Sequence, residues 1–254
     1  MKKQLAAVVV MTSVLSSCLA PSLLQTPEAV EVKKINYDFV PPSTAEEKVG
    51  ISMILLNPNY ASGFEAESQE MYVDFIDNMG VDFEEMLIAK GYSLRGPYNT
   101  YDEIVYSDKS ETDLMLSTEI DFSYEWSPGA LKTKRLVGYG GSVTGYYYQI
   151  DGTLELTGKI NLVIKESLTQ EKLWVKSIPL DKKSLLIQTA RYKVASDAEG
   201  RQAVVSDAQY KNVMYDALND YYQKSLTMAW KHLEPEELKP LKKQVEELRE
   251  KKGY

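Results

Sequence analysis

The stretch Asp113-Leu114-Met115-Leu116-Ser117-Thr118-Glu119-Ile120-Asp121-Phe122-Ser123-Tyr124-Glu125-Trp126 sets Leu114, Leu116, Thr118, Ile120, Phe122, Tyr124 and Trp126 on one parity and Met115, Ser117, Glu119, Asp121, Ser123 and Glu125 on the other. Side chains of an extended chain alternate between faces, so this reads as a strand with one buried and one wet face. Thr153 to Lys165 repeats the pattern. Leu154, Leu156, Ile160, Leu162 and Ile164 point inward, and Glu155, Thr157, Lys159, Asn161 and Lys165 outward. Leu173 and Val175 continue it after a turn near Thr169-Gln170. The wet face of the first strand carries carboxylates and those of the others lysines. Cross-strand pairs worth roughly a few tenths of a kcal/mol each then favour antiparallel register.

Working outward, Val49 to Leu56 is a compact apolar run closed by Asn57-Pro58-Asn59, the pattern of a buried strand and a turn. Spacing predicts a helix from Glu65 to Lys90, with Ser62 and Glu65 as a capping box and Met71, Phe75, Met79, Phe83, Met86 and Leu87 on its buried stripe. Gly80 weakens its middle, and Gly91 suits the left-handed position after its end. Ser206 and Gln209 form a second capping box, opening a helix that runs to about Leu233, where Pro235 and Pro240 stop it. A last helix spans Pro240 to Lys252 before Gly253. Its Leu238, Leu241, Val245 and Leu248 form a stripe that must lie on its own domain or on a partner, since two heptads are too short to stand alone. Lys183 to Val205 fits either a strand or a loop. The order of elements gives an α+β fold: a two-layer domain, largely antiparallel sheet with helices covering one face, plus a C-terminal helix.

The 254 residues are 44% apolar and carry 29 Lys and Arg against 37 Asp and Glu, a net charge of -8. That composition supports a folded core, and the acidic balance opposes binding to nucleic acid. Cys18 and His232 stand alone, which excludes an internal disulfide, a Cys/His zinc cage and any site needing two imidazoles. No phosphate loop, dinucleotide fingerprint, His-Glu-x-x-His helix or nucleophile elbow is present, so the expectation is a protein with no enzymatic activity and no cofactor. His232 falls near the end of its helix and reads as structural. The acidic stretch Asp102, Glu103, Asp108, Glu111, Asp113 lacks calcium-loop spacing and reads as a solvated loop.

Lys2-Lys3 precedes an apolar run from Leu5 to Leu15, about half the length that crosses a bilayer. Leu15-Ser16-Ser17-Cys18 follows, which looks like a bacterial lipobox. The expected organisation is a signal peptide at 1–17, a lipidated Cys18 with a tether to 42, an α+β domain at 43–233 and a C-terminal helical extension at 234–254. A short strand is expected within the tether at Val30 to Phe39. Acyl chains on Cys18 would hold the domain outside the bilayer, and Leu19 after the cysteine favours the outer membrane.

The segment Lys132 to Tyr148 gathers Lys132, Lys134, Arg135, Tyr139, Tyr146, Tyr147 and Tyr148 around four glycines in an acidic chain. A guanidinium holds a carboxylate with two parallel hydrogen bonds, and tyrosine faces cover the apolar side of a sugar, a combination suited to a sialylated glycan. The same residues also read as a glycine-bent hairpin with its tyrosines on the sheet and its lysines in water.

The lipobox, Ile35-Asn36-Tyr37, Ile54-Leu55-Leu56-Asn57-Pro58, Ala89-Lys90-Gly91-Tyr92, Glu119-Ile120 and the lysine-rich C-terminus together resemble the Helicobacter adhesin A (HpaA) family, also called neuraminyllactose-binding haemagglutinins. The resemblance runs in order over most of the mature chain as scattered short matches. It implies an outer-membrane or flagellar-sheath lipoprotein proposed to bind sialylated host glycans. The family's proposed binding motif is a Lys/Arg cluster around a threonine, and Lys132, Thr133, Lys134 and Arg135 occupy the comparable place, without the family's paired trailing lysines. The expected ligand-binding residues are therefore Lys132, Lys134, Arg135, Tyr146, Tyr147 and Tyr148. The competing reading is an envelope assembly or scaffold lipoprotein, binding another protein or itself through the sheet edge or the C-terminal helix.

Overall fold

The longest strand of the computed structural model, which describes residues 31–33, 36–66 and 69–253, is a run of 24 residues that pairs along both of its edges. Cys18, the signal peptide, most of the tether and Ile35 lie outside the described residues. The elements in chain order are β1 (Ser52–Leu56), β2 (Asn59–Tyr60), α1 (Glu70–Ala89), β3 (Ser93–Tyr98), α2 (Tyr106–Glu111), β4 (Leu114–Trp126) and β5 (Leu131–Val137). They continue with β6 (Val143–Glu166), β7 (Lys172–Gln188), β8 (Tyr192–Val194), α3 (Asp197–Val205), α4 (Ala208–His232) and α5 (Pro235–Lys252).

The C-terminal part of β6 lies between β4 and β7, both antiparallel to it, and its N-terminal part lies between β5 and β8. Asp121 meets Lys159 across the β4/β6 pair as a 3.1 Å ion pair, and Asn161 donates to Glu119 at 3.3 Å, as the opposite wet faces require. The sheet is mixed, because β1 runs parallel to both β3 and β4. Its Met53, Ile54 and Leu55 are all buried: Met53 and Leu55 face the main core, and Ile54 faces a small cluster with Ile104 and Met115. Burial on both faces explains this unbroken apolar run, and it extends to the start of β4, where Met115, expected on the wet face, is buried against Ile54; β4 alternates only beyond it.

The opposite layer is α1 and α4, whose Phe75, Met79, Phe83, Met214, Leu218, Tyr221 and Tyr222 form one core with Leu116, Ile120, Leu156 and Ile160 of the sheet. Helix α1 starts at Glu70, five residues later than the capping box predicts. Turns closed by Phe64 N–H to Ala61 and Gln69 N–H to Ala66 press Phe64 against Tyr72 first, with ring centroids 4.9 Å apart. Gly91 takes the left-handed conformation (φ 85°) that ends this helix, as expected. Helix α4 is capped by Asp207, because Ser206 belongs to the end of α3. The ambiguous segment 183–205 resolves into the end of β7, then β8 and α3. No strand forms over the described residues of 30–39. There the backbone is satisfied by α4 side chains: Lys33 N–H donates to Asn212 Oδ1 at 2.7 Å, and Gln223 donates to the Asp38 carbonyl at 2.9 Å. The acidic stretch is also ordered. It forms a turn and α2, with Tyr98 donating to Asp108 at 2.7 Å and Ser52 donating to Asp113 at 2.8 Å.

Helix α5 begins at Pro235, and Pro240 sits inside it without stopping it. Leu238, Leu241 and Val245 are buried in the main core on either side of that proline, which offsets the lost backbone bond. The stripe therefore lies on its own domain. Arg249 locks it there: its guanidinium donates to Glu166 Oε1 at 2.8 and 2.5 Å, to the carbonyls of Ser110 and Thr112 at 2.8 and 2.7 Å, and to Ser167 Oγ at 2.9 Å. Glu166 is fully buried. Burial opposes its charge, but hydrogen bonds from Thr169, Arg249 and Leu168 outweigh that and hold its carboxyl below the ordinary glutamate value.

Arg249→Ala leaves this carboxylate buried and unpaired, and should cost about 3–5 kcal/mol in a denaturant melt at neutral pH. Because the folded pKa is depressed, the Glu166 contribution is present above the unfolded value, about 4.3, and is lost as pH falls through the folded one. Melts at pH 7 and pH 3 should show the deficit of Arg249→Ala shrinking in acid.

Candidate functional site

Beyond the two-layer body, β5 and the first part of β6 form a hairpin whose turn is closed by Gly138 N–H to the Ser142 carbonyl at 2.8 Å. Register decides which side chains meet. Lys132 pairs with Gln149, Thr133 with Tyr148, Lys134 with Tyr147 and Arg135 with Tyr146. On the other edge Tyr147 pairs with Lys193, and Tyr148 with Tyr192. Directly paired residues share a face and sequence neighbours do not. The six ligand-binding residues predicted from sequence are therefore divided: Lys132, Lys134 and Tyr147 share one face, and Arg135, Tyr146 and Tyr148 the other.

The second face belongs to the core. Tyr148 is 2% exposed, and α3 crosses it at Gly200, where a Cβ would stand 2.1 Å from the Tyr148 ring. Tyr192 beside it donates to Asp207 Oδ2 at 2.6 Å, while Asp207 Oδ1 caps α4 by accepting from Gln209 N–H at 2.8 Å. Burial, with the Asp207 hydrogen bond adding to it, pushes the Tyr192 hydroxyl up to about 12. Tyr148 is thus a packing residue and is withdrawn from the candidate site. Arg135 is exposed but faces away from Tyr147.

The first face is open and basic. Tyr147 is half-buried, flanked by Lys134 from β5 and Lys193 from β8. The Arg191 guanidinium stands 5.8 Å from its ring centroid, within cation–π range. Lys132 is bound to Asp151, and this hydrogen bond, seconded by one from Gln188, holds the Asp151 carboxyl below its ordinary value. Gln149 donates to the Thr189 carbonyl at 3.2 Å, which ties the floor to the chain entering β8. Lys134 and Lys193 are exposed and carry no ion pair among the described residues. A cavity of about 180 Å³ opens here between Lys132, Lys134, Tyr147, Gln149 and Arg191, with Thr133 and Tyr148 also bordering it. Its chemistry is a flat aromatic surface beside several cationic donors, one of them a guanidinium that can engage a carboxylate bidentately.

Arg191 and Lys193 are the residues that reading the sequence missed. They lie in the ambiguous segment, where the alternation Arg191-Tyr192-Lys193-Val194 was the available signal of a short strand. His232 occupies the last turn of α4, and among the described residues no group of His, Cys, Asp or Glu side chains is placed to hold a metal ion. Among the described residues no helix is long and apolar enough to cross a membrane.

No protein-family model and no curated protein matches the sequence. Among solved structures the chain is similar to a proposed neuraminyllactose-binding hemagglutinin homolog from Helicobacter pylori, at 15% identity and a TM-score of 0.55, covering 82% of this chain and 99% of that one. Lipoprotein GNA1162 from Neisseria meningitidis matches at 15% identity over 61% of this chain and 94% of that one, with a TM-score of 0.27. The first likeness places the two chains in one fold; the second is too distant in shape to bear on it.

Gly200→Ala drives a methyl group into the Tyr148 ring, and should cost about 1–3 kcal/mol by thermal or denaturant melting. Tyr148→Ala in the same background relieves the clash, so the two losses should be less than additive.

Proposed function

We propose that this protein is a lipid-anchored envelope protein of adhesin type, non-catalytic, held in the outer membrane through Cys18, and that its Tyr147 face takes the acidic sugar of a sialylated glycan. The observation that carries the reading is a single ring, Tyr147, flanked by Lys134 and Lys193 and within cation–π range of Arg191, beside a cavity, in a chain of net charge -8. The lipobox-like Leu15-Ser16-Ser17-Cys18 supports the anchor. The fold shared with a structure described as a neuraminyllactose-binding hemagglutinin homolog, and the residues that resemble the Helicobacter adhesin A family, support the ligand class.

In this reading Arg191 takes the bidentate role that the sequence alone gave to Arg135, since only Arg191 shares a face with Tyr147. The ring of Tyr147 covers the apolar side of the sugar, and Lys134 and Lys193 supply longer-range attraction to the carboxylate.

Calorimetric titration with sialyllactose and with plain lactose tests this. The sialylated sugar should bind more tightly. Arg191→Ala should remove about 1.5–3 kcal/mol of that binding, the range for hydrogen bonds to charged groups, and Arg135→Ala should remove little. A protein that does not distinguish the two sugars has no sialic acid site here. Separately, Cys18→Ser should release the folded protein from the membrane fraction; retention after a high-salt wash would argue for a protein-mediated attachment.

A further inference from the structure

We propose that the outer edge of β5 accepts an acidic, extended segment of another protein as an added strand. Strand β5 ends the sheet: among the described residues it pairs with β6 on one side and with no strand on the other.

The hydrogen bonds around β6 show which backbone groups are open. Asp151 N–H donates to the Ala130 carbonyl at 2.9 Å, across the β5 side. Ile150 does the reverse, turning away from β5: its N–H donates to Thr189 Oγ1 at 2.9 Å and its carbonyl accepts from Thr189 N–H at 2.8 Å. Ile150 pairs with Leu131, so Leu131 is in a non-hydrogen-bonded pair with β6 and points its own N–H and C=O outward. By alternation Thr133 and Arg135 also present theirs to the open edge, while Lys132 and Lys134 bond to β6. The register stays regular until a shift between Leu136 and Val137.

The other long edges of the sheet are guarded differently. Strand β3 contains Pro97 and β7 contains Pro179 and two register shifts, features that block or bend an incoming strand. Over Leu131–Leu136, β5 has no proline and no bulge. Its protection is charge: Lys132, Lys134 and Arg135 are all exposed, Lys132 paired with Asp151 and the other two without an ion pair among the described residues. Two copies pairing through this edge would set like charges side by side, which disfavours self-association. Those same cations favour a strand of opposite sign. Because the two unpaired cations alternate, with Lys134 on one face and Arg135 on the other, an acidic strand meets positive charge on both of its faces. The edge borders the cavity at Tyr147 and shares Lys132, Thr133 and Lys134 with it, but its open backbone groups point away from β6 and do not depend on the glycan reading.

The test is amide hydrogen exchange of the full chain in the presence of blocked peptides alternating valine with glutamate, or valine with lysine. The acidic peptide should slow exchange at Leu131, Thr133 and Arg135 by on the order of tenfold, with Lys132 and Lys134 already protected by β6. Thr133→Pro, which removes an outward N–H without breaking the ladder to β6, should abolish that protection, and Thr133→Val should keep it. The double variant Lys134→Glu, Arg135→Glu should reverse the preference toward the basic peptide. Equal protection by both peptides, protection by neither, retention in Thr133→Pro, or protection of these amides by the protein's own self-association would each overturn the proposal.

Discussion

Twenty-four consecutive residues in one extended strand constrain everything else in this molecule. Strand β6 carries Leu154, Leu156, Ile160, Leu162 and Ile164 into the core at one end, and Tyr147 and Tyr148 into opposite faces of the hairpin at the other. A slip of one residue against β4 would turn that whole core set to water. The same slip against β5 and β8 would exchange the buried Tyr148 for Tyr147. The stability of the body and the composition of the basic face are thus set by one register.

Buried carboxylates fasten distant segments onto that strand and its helices. Glu166, the last residue of β6, receives Arg249 from α5. Asp207 caps α4 and also accepts from Ala190 N–H and Tyr192 at 3.1 and 2.6 Å, tying the chain around β8 to the helix. Asp82 of α1 accepts from Tyr222 of α4, at a point where Tyr37 also packs on both helices. The environments of Asp82 and Glu166 pull their acidities in opposite directions. Burial raises the Asp82 carboxyl, because its donors are the Tyr222 hydroxyl and the Phe39 backbone, neither of them cationic. Glu166 is more deeply buried yet held low, because a guanidinium and several N–H donors converge on it.

Charge is unevenly spread over the hairpin and β8. In a chain of net charge -8, Lys132, Lys134, Arg135, Arg191 and Lys193 gather on β5, on β8 and at the residue just before β8. They line two adjoining surfaces that share Lys132 and Lys134. One is a face with an aromatic floor, suited to a small acidic ligand. The other is an edge with open backbone groups, suited to an extended acidic chain. Helix α5 offers no comparable surface, since Leu238, Leu241 and Val245 are already spent on its own core.

Much of the fold was legible before any coordinates, where one side chain's environment repeats with a short period. The alternation in Leu114–Trp126 and Thr153–Lys165 identified β4 and β6 and their antiparallel pairing, and the stripe of α1 identified one helix of the second layer, because burial of one face imposes a period of two or of 3.6 on the residues themselves. Boundaries failed where a tertiary contact overrode a local signal. Phe64 docks before α1 begins, Ser206 closes α3 where it resembles a cap for α4, and Pro240 is carried through α5 by the apolar residues buried around it. The candidate site was half legible. The cluster Lys132 to Tyr148 was visible as composition, but composition has no faces. The sequence by itself determined that a basic, tyrosine-rich hairpin would project from an α+β domain. Only the tertiary structure decided that Arg191 and Lys193 join Tyr147 and that α3 covers the face of Tyr148, because partners more than forty residues apart are set by register across β6 and by helix packing and leave no periodic mark in the chain.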